Sequence, residues 1–231
     1  MRGGIAEIWM ATDKAAQVFA LRLMHEGARE SESSPLMFEN GCKILSQLPP
    51  HPNLITYLEH GQWEETPYLL MKYVEGANLK ELMLREDANL DESLSDILVE
   101  FAAAIEHIHD HGFMHLDLKP ENIILSHGGD LRLCDFDTAQ PIPTRPARLI
   151  RRSGTPNYMA PEQMNGEGVD QRADIYAFAV TAYELLTQRK PFRGDTPKEM
   201  MENQISPRYR VTPPRDYNPG IPVALERLLL K

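Results

Sequence analysis

The sequence predicts an α+β protein in which a small strand-rich first part precedes a larger helical part. Segments 5–11 and 17–24 have the composition of two strands joined by a polar turn. Further along, apolar residues recur at helical spacing and predict a buried helix. These residues are Leu94, Ile97, Leu98, Phe101, Ile105 and Ile108. With 231 residues and 42% hydrophobic content, the chain suits one large domain or two small lobes.

The composition excludes several classes of protein. The formal net charge of −10 makes the chain a poor candidate for general nucleic-acid binding. It contains no run of 18 apolar residues and no signal peptide, so we expect no membrane association within this chain and a cytoplasmic location. Cys42 and Cys134 both have apolar neighbours, which predicts buried free thiols rather than a disulfide.

The segment 115–125 contains an acid, a base and an amide at close spacing, and it reads His-Leu-Asp-Leu-Lys-Pro-Glu-Asn-Ile-Ile-Leu. Asp117 is followed two residues on by Lys119 and three further on by Asn122. A second carboxylate, Asp135, follows the next short hairpin. Phosphoryl transfer from ATP needs these parts: an acid to orient a hydroxyl, a cation for the moving group, and oxygen ligands for magnesium.

A second motif, at 154–162, reads Gly-Thr-Pro-Asn-Tyr-Met-Ala-Pro-Glu. With both motifs, the sequence resembles the eukaryotic-like (Hanks-type) serine/threonine protein kinase family along nearly its whole length. The resemblance implies a bilobal protein kinase fold, with a small β-rich N-lobe at 1–74 and a larger helical C-lobe at 75–231. The N-lobe would be incomplete at its start, and the C-lobe would lack its final helix.

The resemblance places the nucleotide site along the first lobe and the hinge. The positions are Gly3, Ile8, Ala20, Arg22, Met71, Lys72, Val74 and Asn78. Gly3 falls in the phosphate loop, and Ile8 and Ala20 would cover the adenine, with plain strand core as the alternative for these two. Met71 matches the gatekeeper position. The backbone of Lys72 and Val74 would bond the adenine, and Asn78 would lie near the ribose.

Two first-lobe residues depart from the family. Arg22 stands where the family has the lysine of its third strand, so a planar fork replaces a compact ammonium. Gly41 stands where a helix carries the glutamate that pairs with this lysine. Glu39 lies about 200° round the helix and is not expected to face the cleft. We therefore expect the Lys–Glu pair to be absent and Arg22 to lack a carboxylate there.

The second lobe carries the implied catalytic residues. By resemblance, Asp117 orients the hydroxyl of a protein substrate, Lys119 neutralises the transferring phosphoryl group, and Thr155 bridges these two. Asn122 and Asp135 would bind Mg²⁺, with Mn²⁺ as an alternative. Three histidines of one helix end, His107, His109 and His111, are spaced by two and do not share a face, so we expect solvated side chains rather than a metal site.

Two more departures and the end of the chain bear on regulation and stability. Asp137 stands where the magnesium motif has glycine, and Leu116 where the catalytic loop has arginine. Glu162 matches a family glutamate that pairs with an arginine near the domain's end. The chain ends before that arginine, which indicates either a truncated form or a substitute cation. The candidates are Arg189 and Arg193.

Two functions follow from this pattern. The first is a protein kinase that uses ATP and magnesium on a serine or threonine of a protein substrate, with reduced activity. The second is a pseudokinase, a nucleotide-binding or scaffold module without turnover. Arg22, Gly41 and Asp137 favour the second, whereas the complete set of catalytic-loop residues favours the first. The sequence identifies neither the substrate nor the oligomeric state.

Overall fold

The computed structural model describes residues 5–149 and 154–231. The first lobe contains, in order, β1 (Ala6–Thr12), β2 (Val18–Met24), α1 (Glu26–Arg29), α2 (Ser34–Gln47), β3 (Tyr57–Trp63) and β4 (Thr66–Lys72). The predicted strands 5–11 and 17–24 are confirmed with a shift of one residue. The phosphate-loop residue predicted at Gly3 lies outside the described residues.

The first-lobe sheet has the strand order β1-β2-β4-β3, and neighbouring strands are antiparallel. Successive side chains of a strand point to opposite faces. In β2, Ala20, Arg22 and Met24 are all buried, so they share the face that looks towards the second lobe. The register places Ala20 beside Met71 of β4. This alternation directs a charged side chain, Arg22, into the interior.

The second lobe is mainly helical. Its elements are β5 (Gly76–Asn78), α3 (Leu79–Leu84), α4 (Ala88–Asp110), β6 (Phe113–Met114), β7 (Ile123–Ser126), β8 (Leu131–Leu133), β9 (Gln140–Pro141), α5 (Pro161–Asn165), α6 (Arg172–Thr187), α7 (Pro197–Ile205) and α8 (Val223–Leu229). Across both described ranges, no helix has the length and hydropathy needed to cross a bilayer.

Helices α4 and α6 form the centre of this lobe. The apolar positions predicted for α4 are buried, apart from Leu94, which is partly buried. Phe101 of α4 packs on Phe178 of α6 with ring centroids 5.1 Å apart. Helix α6 is buried on most of its faces, as its nearly continuous apolar sequence predicts. It therefore provides a rigid support for loops that contact its first turn.

The end of the chain confirms one prediction and corrects another. Helix α8 contains Leu225, Leu228 and Leu229 as predicted. The substitute cations suggested for Glu162 are wrong, because the guanidinium groups of Arg189 and Arg193 lie 5.1 and 5.2 Å from the centre of the Tyr217 ring. Such cation–π contacts hold both cations at this ring.

Replacing Glu162 by glutamine should leave the thermal midpoint unchanged or raise it. No described residue forms a salt bridge with the partly buried Glu162, and a cation that feels its charge, Arg172, is exposed and pairs with Asp170 at 2.8 Å, so the change removes a charge at little cost. Glu184→Gln is the matched control. Glu184 is 3% exposed and accepts hydrogen bonds from Lys80 at 2.8 Å and Tyr158 at 2.6 Å, so its replacement should lower the midpoint. A clear fall for Glu162→Gln would show that a cation already pairs with it.

Candidate active site

Asp117, Lys119 and Thr155 lie together in one hydrogen-bonded network. Lys119 Nζ donates to Asp117 Oδ2 at 2.6 Å and to Thr155 Oγ1 at 2.7 Å. Thr155 donates its hydroxyl and its backbone N–H to Asp117 Oδ1, both at 2.9 Å. Thr155 lies 38 residues further along the chain than Asp117. The network therefore joins the segment 115–125, called the catalytic loop for its resemblance to the family's, to the motif at 154–162.

The catalytic loop is fixed to helix α6 through Asp174, which is completely buried. Its carboxylate accepts the backbone N–H groups of His115 and Leu116, each at 2.8 Å. It also accepts Nε2–H of His109 at 2.8 Å, so the expectation that His109 is solvated was wrong. Leu116 has φ of 66°, an unfavourable left-handed conformation for a residue with a Cβ. Asp174 thus holds a strained turn directly before Asp117.

Asn122 and Asp135, the two predicted oxygen ligands, both line the same cleft. Asn122 donates its amide N–H₂ to the carbonyl of Asp117 at 2.8 Å and to its Oδ2 at 3.1 Å, so the amide oxygen is the atom that could bind a metal. Asp135 Oδ1 is buried and has no hydrogen-bond partner in the described part of the chain. Carboxylate and amide oxygens suit Mg²⁺, and this donor set therefore fits it.

The ionisation of Asp135 also favours a metal-binding role for this residue. Burial disfavours the charged carboxylate, but the positive charge of Arg22, with smaller contributions from His115 and Lys119, outweighs burial and lowers the pKa of Asp135 below its ordinary value. Arg22 Nη2 lies 3.3 Å from Asp135 Oδ1, an ion-pair distance without hydrogen-bond geometry. Asp135 is therefore a carboxylate at neutral pH.

A cleft of about 520 Å³ lies between the lobes, a size typical of small-molecule sites. Of the predicted site residues, it is lined by Ile8, Arg22, Met71, Asn78, Asp117, Lys119, Asn122, Asp135 and Thr155. Among the described residues, Ala20, Lys72 and Val74 do not line it. The N–H of Lys72 donates to the carbonyl of Thr56 at 3.0 Å and is therefore already engaged within the protein.

Asn78 has a structural role that the sequence analysis missed. It is the N-cap of α3, and its side-chain oxygen accepts the backbone N–H of Glu81 at 2.9 Å. An asparagine followed three residues later by a glutamate is typical of a helix start, and this spacing was the available signal. The side chain still lines the cleft, where its N–H₂ group can contact a ligand.

Arg22 receives no carboxylate from helix α2, as expected, but it has a carboxylate partner elsewhere that the sequence analysis did not predict. Its Nη1 and Nη2 donate to Oδ1 and Oδ2 of Asp137 at 2.7 and 2.6 Å, a bidentate pair across 115 residues. Burial lowers the pKa of Arg22, but Asp135 and Asp137 outweigh it and raise this pKa above its ordinary value. Burial raises the pKa of Asp137 despite Arg22. Asp137, which stands where the family has glycine, is therefore the partner of Arg22, which stands where the family has lysine.

Both cysteines are free, and neither is a reactive thiol. Cys42 is buried as predicted, whereas Cys134 is only partly buried beside Asp135. Cys134 Sγ donates to the carbonyl of Asn122 at 3.1 Å. Burial raises the pKa of both thiols to about 12, so neither is a thiolate at neutral pH.

A family model described as "Protein kinase domain" matches residues 2–221, and the chain belongs to this family. Among curated relatives, it is 35% identical to the DNA damage-responsive serine/threonine-protein kinase RqkA of Deinococcus radiodurans over 99% of this chain. It is 29% identical to the serine/threonine-protein kinase PknB of Mycobacterium leprae over 99% of the chain, and 27% identical to a probable serine/threonine-protein kinase PknB of Lactococcus lactis over all of it. The chain spans 34% to 38% of the lengths of these three proteins.

Proposed function

We propose that this chain is a serine/threonine protein kinase that transfers the γ-phosphoryl group of ATP to a protein hydroxyl. The observation that carries the proposal is the network in which Thr155 bridges Asp117 and Lys119 beside the oxygen ligands Asn122 and Asp135. Membership of the protein kinase domain family supports it. A cytoplasmic location, a protein partner and the absence of a nucleic-acid partner stay predictions from the sequence.

The residues divide the chemistry among them. Asp117 orients the substrate hydroxyl and receives its proton as the hydroxyl oxygen bonds to the γ-phosphorus and ADP leaves with the β–γ bridging oxygen. Lys119 offsets the negative charge on the transferring group, and Thr155 holds the lysine and the aspartate at a fixed separation. Magnesium, or manganese in its place, would neutralise phosphate charge when held by Asn122 and Asp135.

The nucleotide is proposed to bind in the interlobe cleft. Arg22 contacts phosphate. The other nucleotide contacts are proposed from the resemblance: the phosphate loop, the adenine cover, the hinge and the ribose site. Their residues are Gly3, Ile8, Ala20, Met71, Lys72, Val74 and Asn78. Ile8 and Met71 line the cleft, which supports their part in this set. Ala20 lies beside Met71 on the neighbouring strand but does not line the cleft, so its assignment to the adenine cover rests on the resemblance alone.

The alternative, a nucleotide-binding or scaffold module without turnover, rested on Arg22, Gly41 and Asp137. In the structure these departures do not leave an unpaired cation, because Arg22 and Asp137 form a complete bidentate pair. The alternative loses its main support for this reason. A phosphotransfer assay with labelled ATP, a generic basic protein as acceptor, and magnesium or manganese in turn distinguishes the two functions. Acceptor labelling by the wild type but not by Asp117→Asn is expected.

Arg22→Ala should weaken the binding of ATP by at least about tenfold, roughly 1.4 kcal/mol, and leave adenosine binding nearly unchanged. The reason is that Arg22 lies on the cleft wall with donors to spare after its pair with Asp137, so it can reach phosphate oxygens that adenosine lacks. Calorimetric titration with both ligands measures this difference. Equal losses for ATP and adenosine would point to a folding defect and contradict the phosphate contact.

A further inference from the structure

We propose that Asp137 has taken over the task of positioning the phosphate-binding cation Arg22, and that Gly41 is the residue that makes room for it. The inference rests on the proposed kinase function and concerns the same cleft. In protein kinases, the cation of the third strand is paired with a glutamate on the neighbouring helix, while the magnesium aspartate belongs to a different segment, and both must be in place. Here the partner lies on the magnesium segment itself, two residues after Asp135.

The position of Gly41 excludes the usual partner. A Cβ atom built on Gly41 would lie 2.8 Å from the backbone carbon and oxygen of Phe136 and 2.9 Å from Cα of Asp137. These neighbours are main-chain atoms, so no side chain fits without displacing the segment. Helix α2 therefore packs its own backbone against residues 136 and 137, and this close approach brings Asp137 within reach of Arg22.

The acidic residue of helix α2, Glu39, cannot substitute, because it lies on another face of the helix. Glu39 is exposed and forms an ion pair with Lys43 at 2.6 Å on the solvent side of α2. Phe38 lies on the inner side, with its ring centre 5.1 Å from the Arg22 guanidinium carbon. The helix thus contributes an aromatic ring to Arg22, and the carboxylate comes from elsewhere.

An arginine suits this arrangement and a lysine does not. The two parallel hydrogen bonds to Asp137 need two N–H groups in one plane, which a guanidinium has and an ammonium lacks. The same Nη2 group lies 3.3 Å from Asp135, so Arg22 contacts both carboxylates of the segment. Three departures from the family pattern therefore compensate one another, although each alone looks like the loss of a functional residue. They are Arg22, Gly41 and Asp137.

In this arrangement one segment both positions the phosphate-binding cation and carries the magnesium ligand, whereas the family pattern uses two separate elements for these tasks. The orientation of Arg22 depends on the same three-residue segment that carries the magnesium ligand Asp135. Displacing that segment would release the cation and the metal ligand together, whereas a displacement of helix α2 alone would break no ion pair to Arg22. Asp137 acts on the phosphates only through Arg22 and is a positioning residue.

The pair itself is tested without nucleotide. We expect the double variant Arg22→Ala/Asp137→Ala to lower the thermal midpoint by less than the sum of the two single changes, because either single change already breaks the bidentate pair. Additive shifts would show that the pair does not form in solution and would overturn the inference.

Positioning is tested by comparing ATP with adenosine. Asp137→Ala should weaken ATP binding and raise KM for ATP at least tenfold, with adenosine binding and KM for the protein acceptor within twofold of the wild type. Glu39→Gln, which removes the exposed carboxylate of α2, should leave all four quantities unchanged. A purely structural role for Asp137 would lower the midpoint without separating ATP from adenosine, and that result would overturn the inference.

The role of Gly41 has its own matched control. Gly41→Ala should lower kcat/KM for ATP at least tenfold, since its Cβ pushes the segment from Arg22. Gly27→Ala, in helix α1, has no atom nearer than 3.8 Å to the new Cβ and should leave it unchanged. If Gly41→Ala keeps the wild-type kcat/KM for ATP, the inference is wrong. A wild type that binds no ATP would overturn the proposed function and the positioning role together, whereas normal ATP binding by Asp137→Ala would overturn the inference alone.

Discussion

Asp117→Asn is expected to lower kcat by about 10²- to 10⁴-fold, the usual contribution of a positioned general base. Asparagine keeps the size of the side chain and can still accept hydrogen bonds from Thr155, but it cannot take up the proton of the substrate hydroxyl. It also removes the negative charge that holds Lys119 at 2.6 Å. KM for ATP should change little, because Arg22 and Asp135 are untouched and Asn122 keeps its hydrogen bond to the backbone carbonyl of residue 117 at 2.8 Å.

The measurement is initial-rate labelling of a protein acceptor, accompanied by a thermal melt of each variant. Asp130→Asn is a matched control, since Asp130 is an exposed residue of the β7–β8 turn. Its activity should equal that of the wild type. If Asp117→Asn keeps a rate within a few fold while remaining folded, Asp117 is not the group that receives the proton, and the proposed mechanism fails.

The catalytic-loop network could be predicted from sequence because most of it is local. Asp117, Lys119 and Asn122 lie within six residues of one another, and a fixed local backbone gives them a fixed geometry. Thr155 was found because its own motif is long and specific. The burial of α6 and the α4 stripe were predictable for a similar reason, since periodicity reports burial directly.

The partner of Arg22 was not predictable in this way. The two residues are 115 positions apart, and their contact depends on how closely two backbones approach at Gly41. A family pattern compares each position with its usual residue, so it recorded Arg22, Gly41 and Asp137 as separate losses. Only the three-dimensional contact shows that they compensate one another. His109 was misjudged similarly, because its partner Asp174 is 65 residues away.

The largest effect on stability is expected at Asp174. Replacing it with alanine leaves the buried N–H groups of His115 and Leu116 without acceptors, at about 1–3 kcal/mol each, so the free energy of unfolding should fall by roughly 2–6 kcal/mol. That is a large part of the 5–15 kcal/mol typical of a folded domain. Asp96→Ala, on the exposed side of α4, should stay within about 0.5 kcal/mol of the wild type.

The same change should also affect the site, because Asp174 supports the left-handed turn at Leu116 directly before Asp117. Urea unfolding measures the stability, and hydrogen exchange at residues 115–117 measures the opening of the loop. We expect faster exchange there in Asp174→Ala, under conditions in which helix α4 stays protected. If stability falls by less than about 1 kcal/mol and exchange is unchanged, the loop is held chiefly by other contacts, such as the hydrogen bond from Thr138 Oγ1 to the His115 carbonyl at 2.8 Å. In that case Asp174 would not be the residue that fixes the catalytic aspartate to the core.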